Sequence, residues 1–310
     1  YKLEKDVLLA EVEIIKSLGV EIRCGVEVGR DVTLDQLREQ GFQAFFVAVG
    51  CQGGRRPGVP GDTAEGTDVA VHYLEDSMAQ GNPAISGDVV VVGGGNVAVD
   101  CARNAKRRGA DAVTMVSLEQ RDEMPATNAE IAETLEDGVA VQNGWGPKEV
   151  LVDEAGHVKG VVFKRCTQVI DPKTKRFSPL YNEDETMIVP CTQVVFAIGQ
   201  AIEWGGLLDG RSVTFHHGNY PQADALTFQT ADKDIFVGGD VLTGPKFVID
   251  AIAAGHYAAE SLHRRVQRGA SMTIGRDRHN YLEFDKDDLL IDSYDNAGRQ
   301  EEGMDPEGAD

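Results

Sequence analysis

Along KDVLLAEVEIIKSL, residues 5–18, apolar side chains at positions 7, 8, 11, 14, 15 and 18 recur at helical spacing, and Gly19 ends the run. A short strand, VEIRC, is expected at 20–24, and then a helical DQLREQG at 35–41. FQAFFVAVG, 42–50, is an apolar run of strand length stopped by Gly50. The proline- and glycine-rich GRRPGVPG that follows reads as a crossover. Residues 68–80 regain a helical pattern, which GNPAISG breaks. The pattern then predicts strand 88–92, helix 96–108, strand 112–116, helix 128–137 and strand 139–142. A hairpin over 149–166 comes next, extended by the polar stretch 167–186. Alternating buried strands and helices are the mark of an α/β fold with a parallel sheet.

CTQVVFAIGQ, 191–200, repeats the form of FQAFFVAVG: an apolar strand ending in Ala, a β-branched residue and Gly. The two copies bracket the βαβ segment. Beyond them stand the buried strand and glycine pair of DIFVGGDVLTG, 234–244, and the helical FVIDAIAAGHYAAESLHRRV, 247–266. No repeat of 20–50 residues appears.

A chain of 310 residues is long enough for two compact domains, and 42% hydrophobic residues with 35 glycines fits a turn-rich α/β protein. The net charge of −21 argues against a nucleic-acid partner, since phosphates reward Lys and Arg. No run reaches the roughly 18–20 apolar residues of a membrane span, and charge near Tyr1 replaces the apolar core of a signal peptide, so a cytoplasmic location is expected. Residues 281–310 carry eleven acids against Lys286 and Arg299, a solvated tail or a segment that docks on a partner. Cys24, Cys51, Cys101, Cys166 and Cys191 stand singly, without disulfide, CxxC, zinc or iron–sulfur spacing, and Cys101 is read as a packing residue. The histidines form no metal spacing, and no catalytic or metal-ligating residue is assigned.

The chemistry lies in GGGNVA, which follows four valines and opens a helix. Gly93 permits the tight strand-to-helix turn, Gly95 lets backbone approach a pyrophosphate, and Ala98 lets helix and strand pack closely. The first helical residues, Asn96 and Val97, offer N–H groups at the positive end of the dipole, and Asn96 is a candidate cap. Twenty-one residues past Ala98, near the end of the next strand, Glu119 is positioned to accept the ribose hydroxyls of an adenosine and to repel a 2′-phosphate. This favours NADH over NADPH. Arg121 and the run Lys106, Arg107, Arg108 are the countervailing cations, read as solvated charge suited to a helix end. In GGDV, Asp240 is either a hydroxyl-binding acid or a turn residue, next to a helix opening near Phe247.

The order YKLEKDVL, VEIRCGVEVG, FFVAVG, VPG, VVVVGGGNVAVDCARNAKRRGA, EMPA, VVFAIGQ, TADKDIFVGGDV and the AIAAGHYAA helix resembles the flavoproteins typified by the small chain of glutamate synthase. It is also similar to the adrenodoxin reductase type and to the flavin half of dihydropyrimidine dehydrogenase. The likeness covers about residues 1–268. It implies two Rossmann-like dinucleotide-binding domains, the NAD(P)-binding one inserted in an FAD-binding one. Residues 1–73 and 201–268 would be parts of the FAD domain, 74–200 the NAD(P) domain, and 269–310 an acidic tail or linker. Gly50 and Gly199 would mark the crossings between domains, Gly239 and Asp240 would match the FAD-contacting GGD, and Phe247 and Val248 would begin the helix whose amides face the flavin.

Two departures from that pattern stand out. The family's own opening strand–GxGxxG–helix unit would lie before Tyr1, leaving the FAD domain incomplete. Where relatives commonly carry two arginines at the 2′-phosphate site, this chain has Leu118 and Glu119. The implied function is an oxidoreductase, a fragment or subunit, that moves hydride between NAD(P)H and FAD in the full-length parent and passes electrons to an iron–sulfur or other electron-transfer partner. Homo-oligomerisation is compatible with it. The competing expectation is a non-catalytic nucleotide-binding or assembly module without its own flavin.

Overall fold

A computed structural model describes residues 5–79, 81, 83–216 and 218–277. The chain divides into the units Tyr1–Met272 and Thr273–Asp310. In the second, only residues 273–277 are described, a turn in which the Arg276 amide donates to the Thr273 carbonyl at 3.3 Å. The acidic run 281–310 lies outside the described residues.

The first unit begins with α1 (Lys5–Ser17) and α2 (Leu34–Glu39). Helix α2 opens on a capping box: the Thr33 hydroxyl accepts from the Gln36 amide, and the Gln36 side chain accepts from the Thr33 amide. Then come β1 (Phe45–Val47), β2 (Gly53–Gly54), β3 (Thr67–Val69) and α3 (Ala70–Ala79). The alternating centre is β4 (Val89–Val92), α4 (Asn96–Arg107), β5 (Val113–Ser117), α5 (Asn128–Glu136) and β6 (Ala140–Asn143). Next follow β7 (Trp145–Val152), β8 (Val158–Ile170), β9 (Phe177–Pro190), β10 (Gln193–Phe196) and β11 (Gln200–Ala201). The unit closes with β12 (Ile235–Val237), α6 (Asp240–Thr243) and α7 (Val248–Val266).

Five strands form a parallel sheet in the order β3-β10-β4-β5-β6. All four valines of β4 are buried, as a central parallel strand covered on both faces requires. Their period of two is visible in the packing. Val89 and Val91 join Val99, Ala102 and Ala105 of α4 and Ile131 of α5, whereas Val90 and Val92 join Val150, Val161 and Phe163 of the antiparallel sheet β7-β8-β9. One face of the parallel sheet is therefore covered by helices and the other by strands. The polar stretch does extend the hairpin, since the β8–β9 ladder runs out to the pair Ile170↔Phe177.

Segments on either side of this sheet meet one another. Strand β1 pairs in parallel with β12, Phe45 opposite Ile235, over a third core containing Leu34, Val47, Val213 and Val241. The crossings also pair, with β2 antiparallel to β11 and the Arg55 amide donating to the Gly199 carbonyl at 3.2 Å. The architecture is two α/β bodies, one interrupting the other.

Three sequence expectations differ from this fold. VEIRC forms no strand, because residues 20–24 are exposed and no neighbouring strand pairs with them. Helix α1 forms as expected, yet none of its residues is buried. The parallel sheet also reaches back before residue 74, because Thr67–Val69 of β3 pairs with β10.

Candidate functional site

The glycine turn lies where strand order reverses. From β4 the chain passes to β5 on one side, while β10 lies on the other, so the crevice beyond Val92 and Phe196 is a topological switch point, the usual ligand position in such sheets. Gly93 has φ +149°, and a Cβ there would stand 2.4 Å from the Ala197 carbonyl oxygen, which fixes how closely the turn approaches the end of β10. Gly199 follows on the same rim with φ +118°.

Gly95 is the N-cap of α4, and a Cβ there would meet nothing within 4 Å. The turn is thus open on the side that a diphosphate would approach, with the first amides of Asn96, Val97 and Ala98 at the positive end of the helix. Ala98 is fully buried against the sheet. These residues fit a dinucleotide.

Asn96 departs from its expected role, since α4 has no side-chain cap. Its Oδ1 instead accepts from the Thr127 amide at 3.1 Å. One residue earlier, the Ala126 amide donates to the Gly94 carbonyl at 3.1 Å, so the loop before α5 is bound onto the glycine turn. Thr127 in turn caps α5 by accepting from the Glu130 amide. The loop's contribution was not legible as chemistry; its signal was the small, buried Ala126 beside a capping threonine.

Glu119 stands beside the turn. A Cβ on Gly94 would be 2.7 Å from Glu119 Oε2 and 3.0 Å from the Ser117 Cβ, so the middle glycine, not singled out by its sequence, makes room for this acid. The Glu119 carbonyl accepts from the Ser117 hydroxyl and from the Gly144 amide, both at 3.0 Å, while Asn143 donates to the Ser117 hydroxyl at 2.9 Å. The backbone that carries the carboxylate is therefore held. Burial raises the Glu119 pKa above the ordinary carboxylate value, and the nearby Glu123 adds to the shift.

The competing cations are elsewhere. Lys106, Arg107 and Arg108 stand at the far end of α4, where Lys106 reaches the Asp111 carbonyl, Arg107 pairs with Asp137 and Arg108 donates to the Pro83 carbonyl. The twelve residues of α4 span about 18 Å, which removes these three from the turn. Arg121 is exposed on a short 3-10 turn, Arg121–Glu123.

A second cleft, about 210 Å³, brings together Gly50, Gly239, Asp240, Phe247 and Val248 with Phe46, Gly238 and Lys246. It lies beyond the carboxyl ends of β1 and β12 and at the N-terminus of α7. Asp240 Oδ1 accepts from the Lys246 amide at 3.1 Å, which holds the α6–α7 loop. Phe247 is the N-cap of α7, and both it and Val248 are exposed. The Phe247 amide donates to Asp250 Oδ2 at 3.2 Å, so the run of helix amides expected from Phe247 begins at Val248. Three glycines and these helix amides beside apolar side chains suit a planar ring carrying polar edges.

Residues 5–255 match the pyridine nucleotide-disulphide oxidoreductase family. The chain belongs to that family. Its members are NAD(P)H-dependent FAD oxidoreductases. The chain is 37% identical over 287 residues to the NADP(+)-dependent formate dehydrogenase subunit beta of Moorella thermoacetica, covering 91% of this chain and 40% of that one. It is 33% identical to the glutamate synthase [NADPH] small chain of Escherichia coli, covering 84% and 58%. To the NAD-dependent dihydropyrimidine dehydrogenase subunit PreT of the same species it is 31% identical, covering 87% and 59%. The chain thus spans about half the length of the curated relatives it matches.

Among solved structures of this oxidoreductase fold, FprA from Mycobacterium tuberculosis superposes with a TM-score of 0.64 at 16% identity, over 84% of this chain and 73% of that one. Thioredoxin reductase from T. acidophilum gives 0.56 at 20%, over 71% and 64%. Both support the Rossmann-type fold. No helix among the described residues is long and apolar enough to cross a membrane.

Proposed function

We propose that this chain is the nucleotide-binding and flavin-facing part of an NADH-preferring FAD oxidoreductase that delivers electrons to an iron–sulfur partner. The observation that carries it is the carboxylate of Glu119, carried on a hydrogen-bonded backbone beside an open glycine turn at a switch point. In this reading residues 67–200 hold the coenzyme, and the segments before and after them, up to 268, form the flavin side. The subunit names of the formate dehydrogenase and glutamate synthase relatives support a partner chain.

Gly93 and Gly95 admit the diphosphate, and the α4 amides donate to it. Glu119 accepts from the adenosine ribose hydroxyls and opposes a 2′-phosphate. At the second cleft, Asp240 would hold a polyol hydroxyl, and the α7 amide at Val248 would face the ring's polar edge, with Phe247 at the helix entrance. When bound, FAD supplies the acceptor for a hydride and the means to release electrons singly. The protein's work is orientation and exclusion of water, which explains why no acid or base need be assigned.

Equilibrium titration of the purified chain with NADH and NADPH, followed by nicotinamide fluorescence, tests the reading. Saturable binding with tighter NADH is expected. Absence of binding by either nucleotide refutes the coenzyme site, and tighter NADPH refutes the role of Glu119. Visible absorbance after incubation with FAD tests the second cleft separately.

A further inference from the structure

The hairpin of β8 and β9 carries an apolar face past the body it covers. Opposite residues of a ladder share a face, so Cys166 with Tyr181, Gln168 with Leu180 and Ile170 with Phe177 continue one surface outward. That surface starts against β7: Cys166 is buried, and a Cβ on Gly146 would stand 2.5 Å from the Tyr181 ring. It ends in solvent, with Ile170 47%, Leu180 53% and Phe177 64% exposed. No residue of β9 is buried. Neighbouring large apolar side chains left bare on an overhang mark an interaction surface.

Charge along this hairpin is ordered. The tip bears Lys173, Lys175 and Arg176, exposed and without an ion-pair partner among the described residues. The tip's one acid, Asp171, accepts from the amides of Lys173 and Thr174 at 2.7 and 2.9 Å. Further along, Lys164 lies opposite Thr186 and Arg165 opposite Asn182, so Glu183, Asp184 and Glu185 bulge out of the ladder. Glu183 is bound by Lys164 and Lys148, whereas Asp184 and Glu185 have no ion-pair partner among the described residues. Counted from Leu180, Arg176 and Asp184 stand four positions to either side, and Lys175 and Glu185 five. Under a two-fold axis the pattern is its own complement.

We infer that this hairpin face is a contact between two copies of the chain, related by a two-fold axis near Leu180. Phe177 and Leu180 pack centrally, and Lys175 and Arg176 of each copy face Glu185 and Asp184 of the other. Pro179 has no N–H to give a ladder and the bulge interrupts the strand, so the contact is made by side chains and not by a continued sheet. A lipid surface is a poorer match, because anionic headgroups that attract the tip repel Asp184, Glu185 and a chain of net charge −21.

Sedimentation equilibrium of the 310-residue chain, from about 5 to about 200 µM, tests the proposal. A reversible dimer is expected, about tenfold weaker in about 0.5 M salt than in about 0.05 M. Phe177→Ser shifts the chain to monomer. Arg176→Glu and Asp184→Arg each weaken the dimer about tenfold, and combined they restore it. Lys175→Glu with Glu185→Lys is a second such exchange, should the first pair fold poorly. Co-sedimentation with phosphatidylserine vesicles reads the lipid alternative. A monomer at every concentration, a dimer indifferent to Phe177→Ser, exchanged pairs no better than their single members, or Phe177-dependent vesicle binding without self-association overturns the proposal.

Discussion

Replacing Glu119 with Gln should move NADH affinity and fold stability in opposite directions. The amide keeps the size of the side chain, so the close approach to Gly94 and Ser117 is preserved while the charge is lost. A hydrogen bond to a charged acceptor contributes about 1.5–3 kcal/mol and a neutral one about 1, so the NADH complex weakens by about 1–2 kcal/mol, or about five- to thirtyfold in Kd. For NADPH the sign reverses. A carboxylate about 5 Å from a 2′-phosphate charge repels it by about 3 kcal/mol at an effective dielectric near 20, and exposure and salt reduce this to about 1–2. The selectivity therefore swings by about a hundredfold toward NADPH. Stability follows from linkage: burial raises the folded pKa of Glu119, so the folded chain binds the proton more tightly than the unfolded one. The carboxyl thus lowers stability as pH rises through that window, and the ionised form opposes folding at neutral pH. The Gln variant is expected to show a higher urea midpoint at pH 7 together with weaker NADH binding. Unchanged selectivity in paired NADH and NADPH titrations would refute the reasoning, and a lowered urea midpoint would assign Glu119 to the fold.

Asn96→Ala removes the acceptor for the Thr127 amide, and should cost about 1 kcal/mol of stability and weaken NADH a few-fold, read by urea melts and titration. Native protein should expose one fast thiol to a disulfide reagent, Cys24, and five after denaturation, because Cys51, Cys101, Cys166 and Cys191 are buried and burial pushes the Cys191 thiol up to about 12. Arg38 holds the Asp234 carboxyl below its ordinary value through bonds of 2.7 and 2.8 Å. That contribution is present above the unfolded carboxylate pKa of about 3.9 and is lost as pH falls through the lower folded value. Arg38→Ala should therefore lower the urea midpoint at pH 7 by more than at pH 3.

The strand–turn–helix unit at the glycine run was legible because its determinants are local. Four consecutive valines, a glycine turn and a helix with alanines on its inner face dictate one another's positions within twenty residues. The pairing of Phe45 with Ile235 was accessible only through family resemblance, since nothing in a three-residue strand names a partner 190 positions away. VEIRC misled for a related reason: strand propensity describes a fit to neighbours, and these residues have none. The role of Gly94 was hidden because a run of three glycines does not say which one faces an acid. Asn96 satisfied the composition rule for a cap, yet Gly95 took that place and freed its side chain for the Thr127 loop.

The two clefts are linked through the paired crossings of the chain. Gly50 lines the second cleft and Gly199 the rim of the first, and between them the crossings are tied by the two-residue pairing of β2 with β11 and by the Arg55–Gly199 bond. A Cβ on Gly54 would lie 2.3 Å from the Cβ of Val69, so the crossing presses directly against β3 of the parallel sheet. A Cβ on Gly53 would meet Glu203 Oε1 at 2.9 Å on the return segment. Any side chain at position 54 would push the crossing off the sheet by an ångström or more. Hydride transfer tolerates misplacement on the order of 1 Å only at large cost in rate. The bare backbone at 53 and 54 is accordingly as much a part of the proposed reaction's geometry as the glycine turn proposed to hold the coenzyme.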